Sequence, residues 1–356
     1  MEHASKDVLF TIALSLELPE LLKWCSSSSR INKDVCQNNN VWRAKLLNDF
    51  PDGYPDYQKF GLINQSLRET YVFLYQLLLI KRMLNTNESL YNIFLKKKID
   101  LSKKLLTKVP AFVLPNLQEL DLSYNQLTKV PTFDLPNLQK LNLYNNHLTE
   151  LPVFDLPNLQ RFYLHNNRLT EVPAWNLPKL QVLSLSANQL TEVPEWNLPN
   201  LQELYLSYNR LTEVPAFDFP NLQELNLSNN RLTEVPGWNL PRLQFLSLSD
   251  NQLTEVPAFD FPNLQFLFLS NNQLTKVPDF NFPNLRVLSL FNNQLKKLPD
   301  FDFPHLRRLE LHYNRLKEVP DFDFPNLQEI NLLYNNRLTE INKKHLKEKY
   351  GDRIRI

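Results

Sequence analysis

The side chains best suited to metal binding or redox chemistry in this sequence are two cysteines and a few histidines. Cys25 and Cys36 lie eleven residues apart, without the close spacing or the histidine partners that a zinc site needs. We predict that both are buried thiols, which favours a reducing compartment because secreted repeat proteins usually close their ends with disulfides. His147, His165 and His312 recur without a nucleophile at a matching spacing. We therefore expect no metal site and no catalytic centre.

Loops that bind phosphates or cofactors are rich in glycine, and glycine is scarce here. The four glycines, at positions 53, 61, 237 and 351, form no phosphate-binding loop, so we expect no cofactor. The formal net charge of +1 gives no electrostatic reason to expect a nucleic acid or an acidic membrane surface as a partner. The apolar segment 8–16 lacks the flanks of a signal peptide, and the segment 71–80 is half the length of a membrane span.

Internal repetition dominates the remainder of the chain. The segment LPNLQELDLSYNQLTKVPTFD begins at Leu114, a closely similar segment begins at Leu135, and the pattern recurs every 21 residues. An incomplete copy, IDLSKKLLTKVP, begins at Ile99 and makes twelve copies in all. Such regular repetition predicts one structural unit per copy, stacked on its neighbours.

Each copy contains the alternation of a short strand. In LQELDLSYN, Leu120 and Leu122 alternate with polar residues, which is the period of a strand with one buried face. After a turn at residues 124–125 the chain returns, and we expect Leu127 and Val130 to point inward again. The coil would then close around its own core.

One asparagine per copy falls at this turn. An asparagine amide can hydrogen-bond the main-chain groups that a tight turn leaves without sheet partners, so we predict a structural ladder and no catalytic role. The predicted ladder consists of Asn125, Asn146, Asn167, Asn188, Asn209, Asn230, Asn251, Asn272, Asn293, Asn314 and Asn335.

Two prolines per copy, such as Pro131 and Pro136, forbid a regular helix on the return side and favour extended, polyproline-like backbone. Between them lies an aromatic residue, which we assign to core packing. This aromatic column comprises Phe133, Phe154, Trp175, Trp196, Phe217, Trp238, Phe259, Phe280, Phe301 and Phe322.

The whole pattern resembles the leucine-rich repeat family, LxxLxLxxNxL, and its short variants with Val-Pro or Leu-Pro in the return segment. The resemblance implies a curved solenoid with a parallel sheet on its concave face, which binds proteins. Twelve strands about 4.8 Å apart would form a rod about 55 to 60 Å long. The last copy has an extra residue after Leu332 and Asn342 in place of proline, and residues 343–350 have the pattern of a charged helix. We expect this segment to shield the last strand from edge pairing.

A few large side chains depart from the polar background of the expected concave face. Phe245 and Phe266 share one outward column on adjacent strands, Phe268 lies two residues further along, and Phe291 is diagonal to it. We predict that they form an exposed aromatic patch that binds a target protein. Drift among duplicated repeats and contact with another copy of the protein are the alternatives. A second, more polar patch is predicted from Tyr144, Tyr163, His165, Tyr205 and Tyr208.

The first 98 residues share nothing with the repeat, and their apolar residues fall at helical spacings. We predict short helices over residues 8–16, 19–24, 29–36 and 41–47. The stretch Asp7–Leu47 resembles an F-box, in which a leucine-rich helix is followed by a Leu-Leu pair, a Ser-Arg segment and a late tryptophan. These places are occupied by Leu21-Leu22, Ser29-Arg30 and Trp42, whereas Ala4-Ser5 stands where the family usually opens with Leu-Pro.

The F-box resemblance implies docking on the Skp-type adaptor of a cullin-containing ubiquitin ligase, with the solenoid holding the protein to be modified. The residues expected to bind the adaptor are Val8, Leu9, Leu16, Leu18, Pro19, Leu21, Leu22 and Trp42. The alternative is a binding module without a ubiquitin role, whose N-terminal helices only cap the solenoid. Some bacterial ubiquitin ligases carry similar repeats ahead of a catalytic cysteine domain, but no cysteine follows Cys36.

The expected fold is therefore α+β, with an F-box-like helical bundle followed by a leucine-rich repeat solenoid. The boundaries are 1–50 for the F-box-like domain, 51–98 for a helical linker and cap, 99–341 for the solenoid and 342–356 for the C-terminal cap. The near-uniform repeats also resemble F-box repeat proteins of large DNA viruses and protists. We expect a cytoplasmic protein, in the host cytoplasm if the chain is viral, with a nuclear location as the alternative.

Overall fold

The computed structural model describes residues 4–51, 57–60, 65–335 and 337–356. A group of N-terminal helices is followed by a parallel sheet of thirteen strands and one C-terminal helix. Helices followed by a parallel-sheet solenoid were predicted, and this part of the fold is confirmed. None of the described helices is both long and apolar enough to cross a membrane.

Short helices make up the N-terminal region, and each predicted helix is present with shifted ends. The bounds are α1 (Lys6–Ser15), α2 (Leu18–Ser26), α3 (Ser29–Ile31), a π-helical turn (Asn32–Cys36), α4 (Asn39–Asp49), a 3-10 turn (Tyr57–Phe60), α5 (Leu67–Leu84) and α6 (Leu90–Phe94). The predicted third helix is a single α-helical turn that continues as the π-helical turn. α5 lies against both α4 and α6 and so connects the early helices to the start of the sheet.

Trp42 lies at the centre of the core between α4 and α5. Its side chain is 1% exposed, its ring centroid lies 5.5 Å from that of Tyr71, and its indole nitrogen donates to the carbonyl of Cys36 at 2.9 Å. Lys45, on the same helix, is equally buried and its ammonium lies 2.9 Å from a carboxylate oxygen of Asp49. A buried charge needs such a partner to offset its desolvation. The Trp42–Tyr71 contact joins α4 to α5.

Cys25 and Cys36 form a disulfide, which corrects the prediction of two free thiols. Both side chains are buried, and their Cα atoms are 6.0 Å apart, within the range that a disulfide can bridge. Their separation in sequence did not reveal the pair, because it is the turn from α2 into the π-helical segment that brings them together. The cysteines therefore give no argument for a reducing compartment.

One parallel sheet contains all thirteen strands in sequential order. The strands are β1 (Lys98–Asp100), β2 (Glu119–Asp121), β3 (Lys140–Asn142), β4 (Arg161–Tyr163), β5 (Val182–Ser184), β6 (Glu203–Tyr205), β7 (Glu224–Asn226), β8 (Phe245–Ser247), β9 (Phe266–Phe268), β10 (Val287–Ser289), β11 (Arg308–Glu310), β12 (Glu329–Asn331) and β13 (Ile354–Arg355). Leu246 pairs with Leu267, and every pairing from β1 to β12 has the same 21-residue offset.

The interior of each coil is filled by apolar side chains at fixed positions. In the copy that contains β2, the side chains of Leu120, Leu122, Leu127, Val130 and Phe133 are at most 6% exposed. Burial of one such side chain stabilises the fold by about 1.5 to 3 kcal/mol before the entropy cost of ordering it. Each coil alone has too few of these residues for a closed core, so its stability depends on stacking against its neighbours.

The asparagine at each turn bonds both its own coil and the preceding one. Asn188 Nδ2 donates to the carbonyls of Leu185 at 3.0 Å and Leu164 at 3.1 Å, and its Oδ1 accepts from the backbone N–H of Leu169 at 3.1 Å. The preceding residue, Ala187, has a φ of +54°, in the left-handed region. The predicted ladder asparagines are all buried. The ladder therefore links successive coils through main-chain groups.

A second series of asparagines, which the sequence analysis missed, joins the segments that lead into the strands. Asn158 Nδ2 donates to the carbonyl of Pro136 in the preceding copy at 2.8 Å. The same bond recurs at Asn137, Asn200, Asn221, Asn263, Asn284 and Asn326. In two copies a cation replaces the asparagine, and Lys179 and Arg242 then donate to the side chain of the asparagine before them at 2.7 and 2.9 Å.

The return segments between β1 and β12 contain no helix among the described residues, as their prolines predicted. The aromatic column between the prolines is buried, and several neighbouring rings in it stack; Trp238 and Phe259, for example, lie 5.6 Å apart and nearly parallel. The column begins at Phe112, one copy earlier than predicted, and stacks on Phe133 at 5.6 Å. A second buried column, in which phenylalanine replaces leucine, comprises Phe219, Phe261, Phe282, Phe303 and Phe324.

The C-terminal segment covers the last coil and also extends the sheet. α7 (Glu340–Tyr350) begins before the predicted helix, and β13 pairs with β12 in parallel. Asn342, which replaces the usual proline, accepts from the N–H of Val319 at 3.1 Å and donates to its carbonyl at 3.3 Å. The segment predicted to shield β12 from edge pairing does so in part with a strand of its own, β13, which the prediction did not include.

Substituting one ladder residue should destabilise the solenoid strongly. Asn188→Ala removes several buried hydrogen bonds at once, and we expect a loss of about 2 to 4 kcal/mol in the free energy of unfolding. Chemical denaturation followed by circular dichroism measures the effect. Asn197→Ala, at an exposed position nine residues later, is the matched control and should change stability by less than about 0.5 kcal/mol. Equal effects of the two substitutions would contradict the ladder.

Tyr350 should make the C-terminal cap sensitive to high pH. Its hydroxyl donates to the carbonyl of Phe322 at 2.9 Å, and burial raises the pKa of its phenol to about 12. Because the pKa of Tyr350 in the folded chain lies above 10, the ordinary value for tyrosine, the stabilisation is present below about pH 10 and is lost as the pH rises through about 12. Tyrosinate absorbance is measured against pH for the unmodified chain and for Tyr350→Phe. The difference between the two curves should have its midpoint near pH 12. A midpoint at the ordinary tyrosine value would show that the phenol is not buried.

Candidate functional site

The outer face of the sheet is formed by three columns of side chains, one member of each per copy. The first two columns are the first and third residues of each strand, and the third column lies two residues beyond the strand. In the copy that contains β8, these are Phe245, Ser247 and Ser249. They face outward because the alternate residues between them are buried. Most copies carry serine, asparagine or a charged residue here, so aromatic side chains stand out.

Three phenylalanines meet on β8 and β9. The strand register places Phe245 opposite Phe266, with ring centroids 6.5 Å apart, and Phe268 lies 5.4 Å from Phe245. All three side chains are half-buried, so each ring presents part of its surface to solvent. We call these three residues the phenylalanine patch. It is an apolar surface on an otherwise polar sheet face.

Phe291, the fourth predicted member, stacks in a separate cluster. Its ring lies 4.5 Å from that of His312 and almost parallel to it, and His312 contacts Tyr313 at 5.7 Å. Tyr313 and Tyr334, both exposed, stack at 4.3 Å. His312 Nδ1 is buried and has no hydrogen-bond partner in the part of the chain that the structure describes. The sequence analysis missed this continuation because it followed phenylalanines and not every ring on the outer columns.

The second predicted patch is only partly assembled. Tyr144 stacks on His165 at 4.5 Å, Tyr163 contacts the same imidazole at 6.4 Å, and Tyr124, which was not predicted, contacts Tyr144 at 4.8 Å. Burial lowers the pKa of His165, so its imidazole is neutral at physiological pH. These rings form a mixed aromatic surface near the N-terminal end of the sheet.

Tyr205 and Tyr208 lie apart from that cluster. The hydroxyl of Tyr205 lies 3.0 Å from a carboxylate oxygen of Glu203 and 2.6 Å from one of Glu224. Burial and the hydrogen bonds to these two carboxylates raise the pKa of Tyr205 far above its ordinary value. Tyr208 is 62% exposed. The structure therefore unites three of the five predicted residues and leaves these two separate.

One serine–histidine contact occurs on this face, and its surroundings do not resemble a catalytic site. Ser184 Oγ lies 3.3 Å from His165 Nδ1. A serine nucleophile needs a base that a third group orients, and it needs hydrogen-bond donors for the oxyanion. Among the described residues, no carboxylate accepts a hydrogen bond from the imidazole of His165. No group of three or more His, Cys, Asp or Glu side chains among the described residues could hold a metal ion.

The N-terminal residues predicted to bind an adaptor fall into two groups. Four of them are at most 6% exposed and form the core of the helices, so they cannot offer a surface in this structure; they are Leu9, Leu18, Leu21 and Trp42. Val8 and Pro19 are exposed, and Leu16 and Leu22 are half-buried. Helical periodicity alone did not separate the buried residues from the exposed ones, because in so small a bundle the apolar residues of both groups recur at intervals of three and four.

A sequence model for one family matches the repeat region. The model, described as Leucine Rich repeats (2 copies), matches residues 115–156, 136–177, 157–198, 178–219, 199–239, 220–261, 262–302 and 304–347. Together these overlapping ranges span more than half of the chain, and all lie within the repeats and the C-terminal cap. A search of curated protein sequences finds no match.

Solved structures of leucine-rich repeat proteins are also similar to this chain. A leucine-rich repeat protein of Leptospira interrogans is 30% identical over 75% of this chain and 85% of its own, with a TM-score of 0.48. The leucine-rich repeat domain of APL1B is 24% identical over 71% of this chain and 88% of its own, with a TM-score of 0.58. A chain in the octameric complex of latrophilin 3, Unc5D and FLRT2 is 23% identical over 73% of this chain and 89% of its own, with a TM-score of 0.62. The last two likenesses show the fold.

Proposed function

Because this chain belongs to the leucine-rich repeat family, we propose that it is a protein-binding scaffold that captures a target protein on the outer face of its sheet. The fold of this family is typical of protein–protein interaction modules, and the family model describes a repeat and not a catalytic domain. One structural neighbour was solved within a complex of several proteins. A rigid sheet that presents three outward side chains per copy offers the same kind of surface here.

The phenylalanine patch is the observation that carries this proposal. Rings at 5.4 and 6.5 Å on two neighbouring strands form a continuous apolar surface where most other copies carry polar residues. Each ring is held by the sheet register and by its neighbours, so little side-chain entropy remains to be lost when a partner binds. Large aromatic side chains in such positions contribute much of the affinity of protein interfaces.

Replacing the patch should abolish target capture while the fold persists. Phe266→Ser with Phe268→Ser removes two half-buried rings, and we expect a stability cost of about 1 kcal/mol for each. Target affinity should fall at least tenfold, since central aromatic residues typically contribute about 2 kcal/mol or more. Affinity capture from a cell lysate with mass spectrometry compares the proteins retained by the two forms.

The matched control changes the same two strand positions at the other end of the sheet. Glu119→Ser with Asp121→Ser on β2 should retain the proteins captured by the unmodified chain. Equal retention by the phenylalanine variant would refute the patch as the binding surface. Unfolding of that variant would instead show that the two rings belong to the core.

We further propose that the N-terminal helices dock on a Skp-type adaptor, so that the chain is the substrate receptor of a cullin-type ubiquitin ligase. Support comes from the F-box-like sequence over Asp7–Leu47 and from its position ahead of the repeats. Four apolar residues of α1, of the α1–α2 turn and of α2 reach the surface, namely Val8, Leu16, Pro19 and Leu22. A cytoplasmic location follows from this proposal alone. The cysteines do not support it, because they form a disulfide and are not free thiols.

The competing function is a plain binding module whose N-terminal helices only cap the solenoid. The observation in its favour is that half of the eight predicted adaptor-binding residues, Trp42 and Leu21 among them, serve the internal core of the helices. Both functions use the outer sheet face for the target. They differ in whether the surface of α1 and α2 has a partner.

Exposed residues of α1 and α2 allow adaptor binding to be tested without damage to the core. Val8→Asp with Pro19→Asp places two charges on the surface that would face the adaptor and should weaken binding of a purified Skp-type adaptor at least tenfold. Val153→Asp, at a residue 68% exposed on the solenoid, should leave binding unchanged. Binding is measured by isothermal titration calorimetry. Failure of the unmodified chain to bind the adaptor would leave the capping function.

A further inference from the structure

A polar cavity of about 200 Å³ lies beside the amino-terminal ends of β9 to β11. Its lining contains no acidic side chain. The lining residues are Gln265, Asn284, Arg286, His305, Arg307 and Asn326. We call this cavity the basic pocket. It adjoins the phenylalanine patch, because Gln265 immediately precedes Phe266 in the chain.

The basic residues of this pocket interrupt two columns that are otherwise mostly neutral. Arg286 and Arg307 occupy the column just before each strand, in which glutamine stands in every other full copy, as at Gln244 and Gln265. His305 occupies the column of the second asparagine series, between Asn284 and Asn326. Arg286, His305 and Arg307, which replace the usual residues of the repeat, thus lie in two adjacent copies and line one cavity.

Arg286 and Arg307 line this pocket from neighbouring strand positions. The backbone N–H of Arg307 donates to the carbonyl of Arg286 at 2.8 Å, so their side chains leave neighbouring strand positions about 4.8 Å apart. Neither side chain has an ion pair or hydrogen bond to any residue in the described part of the chain. Two such cations repel each other unless an anion lies between them.

Nearby charges do not neutralise the pair. The neighbouring Arg308 lies on the sheet face and pairs there with Glu329 at 3.3 Å and Glu310 at 3.9 Å. The amides of Asn284 and Asn326 each already donate to a proline carbonyl, at 2.9 and 2.8 Å, which fixes them at the pocket wall. The pocket therefore presents fixed neutral walls and unpaired cationic donors.

We propose that the basic pocket binds a phosphate group through Arg286, Arg307 and His305. A planar guanidinium donates two parallel hydrogen bonds to a phosphate, and two of them on adjacent strands can hold different oxygens of one tetrahedral anion. A phosphate monoester carries about 1.5 to 2 negative charges at neutral pH, which matches the two arginines. The phosphate comes either from a phosphorylated side chain of a protein partner or from a free phosphate compound. Only the first source rests on the proposed target binding.

The test measures binding of inorganic phosphate to the full chain, with chloride at equal ionic strength as the reference. Titration is followed by the backbone amide resonances of the nitrogen-labelled chain, which every variant retains. We expect saturable binding that weakens at least tenfold in Arg286→Gln with Arg307→Gln, because the variant loses the charge-assisted hydrogen bonds of both guanidinium groups. Glutamine occupies the same column in the other full copies, so this variant should fold normally.

Arg210→Gln with Arg231→Gln provides the matched control. These two arginines are also exposed and occupy neighbouring copies, in a column that contains glutamine in several other copies, as at Gln189 and Gln252, but they do not line this pocket. The control should bind phosphate as the unmodified chain does. Equal losses of phosphate affinity in both variants would contradict phosphate binding in the basic pocket. So would resonance shifts that chloride reproduces.

The source is distinguished with a pool of short peptides that contain one phosphoserine and a matching serine pool. Tighter binding of the phosphoserine pool than of inorganic phosphate, reduced by Phe266→Ser with Phe268→Ser, supports a phosphorylated protein partner. Equal binding of peptide and inorganic phosphate, with no effect of that variant, supports a free phosphate compound. The phenylalanine variant should bind inorganic phosphate normally, so failure of target capture and failure of the basic pocket give different results.

Discussion

The solenoid depends on the asparagine that each copy buries at its turn. Its side chain bonds backbone groups of two successive coils, so the turn that ends one strand is held by the coil beside it. Without these bonds, each turn would bury unpaired main-chain groups, at a cost comparable to the stability of a whole domain when summed over the sheet. The constant 21-residue register, the stacked aromatic columns and the outward side-chain columns all follow from coils fixed in this way.

Much of the repeat architecture could be predicted because the repeat is short and nearly invariant. The strand phase follows from the alternation around Leu120, and the turn follows from Asn125. The second asparagine series was missed because residues such as Asn158 precede the strand and lie on the surface, where an amide has no obvious role in the sequence. The β13 strand was missed because Ile354–Arg355 is too short to show a strand period.

The helices and the candidate sites were less predictable, since their properties depend on contacts between distant segments. The pairing of Cys25 with Cys36 depends on the path of the chain through a π-helical turn. The burial of Trp42 depends on α5. On the sheet face, the positions of Phe245 and Phe266 follow from the repeat, but the stack of Phe291 on His312 does not, because side-chain torsions select among several neighbours within reach.

Because the strands follow one another in sequential order, the distance between the two ends of this molecule depends on the number of repeat copies. Near-identical copies are prone to unequal recombination, and gain or loss of one whole copy would keep every ladder bond and every stacked ring intact. Each event would move the N-terminal helices relative to the phenylalanine patch by one strand spacing, about 4.8 Å, together with a small fixed rotation. The distance between the N-terminal helices and the phenylalanine patch could therefore change in discrete steps while the side chains of both surfaces stayed the same.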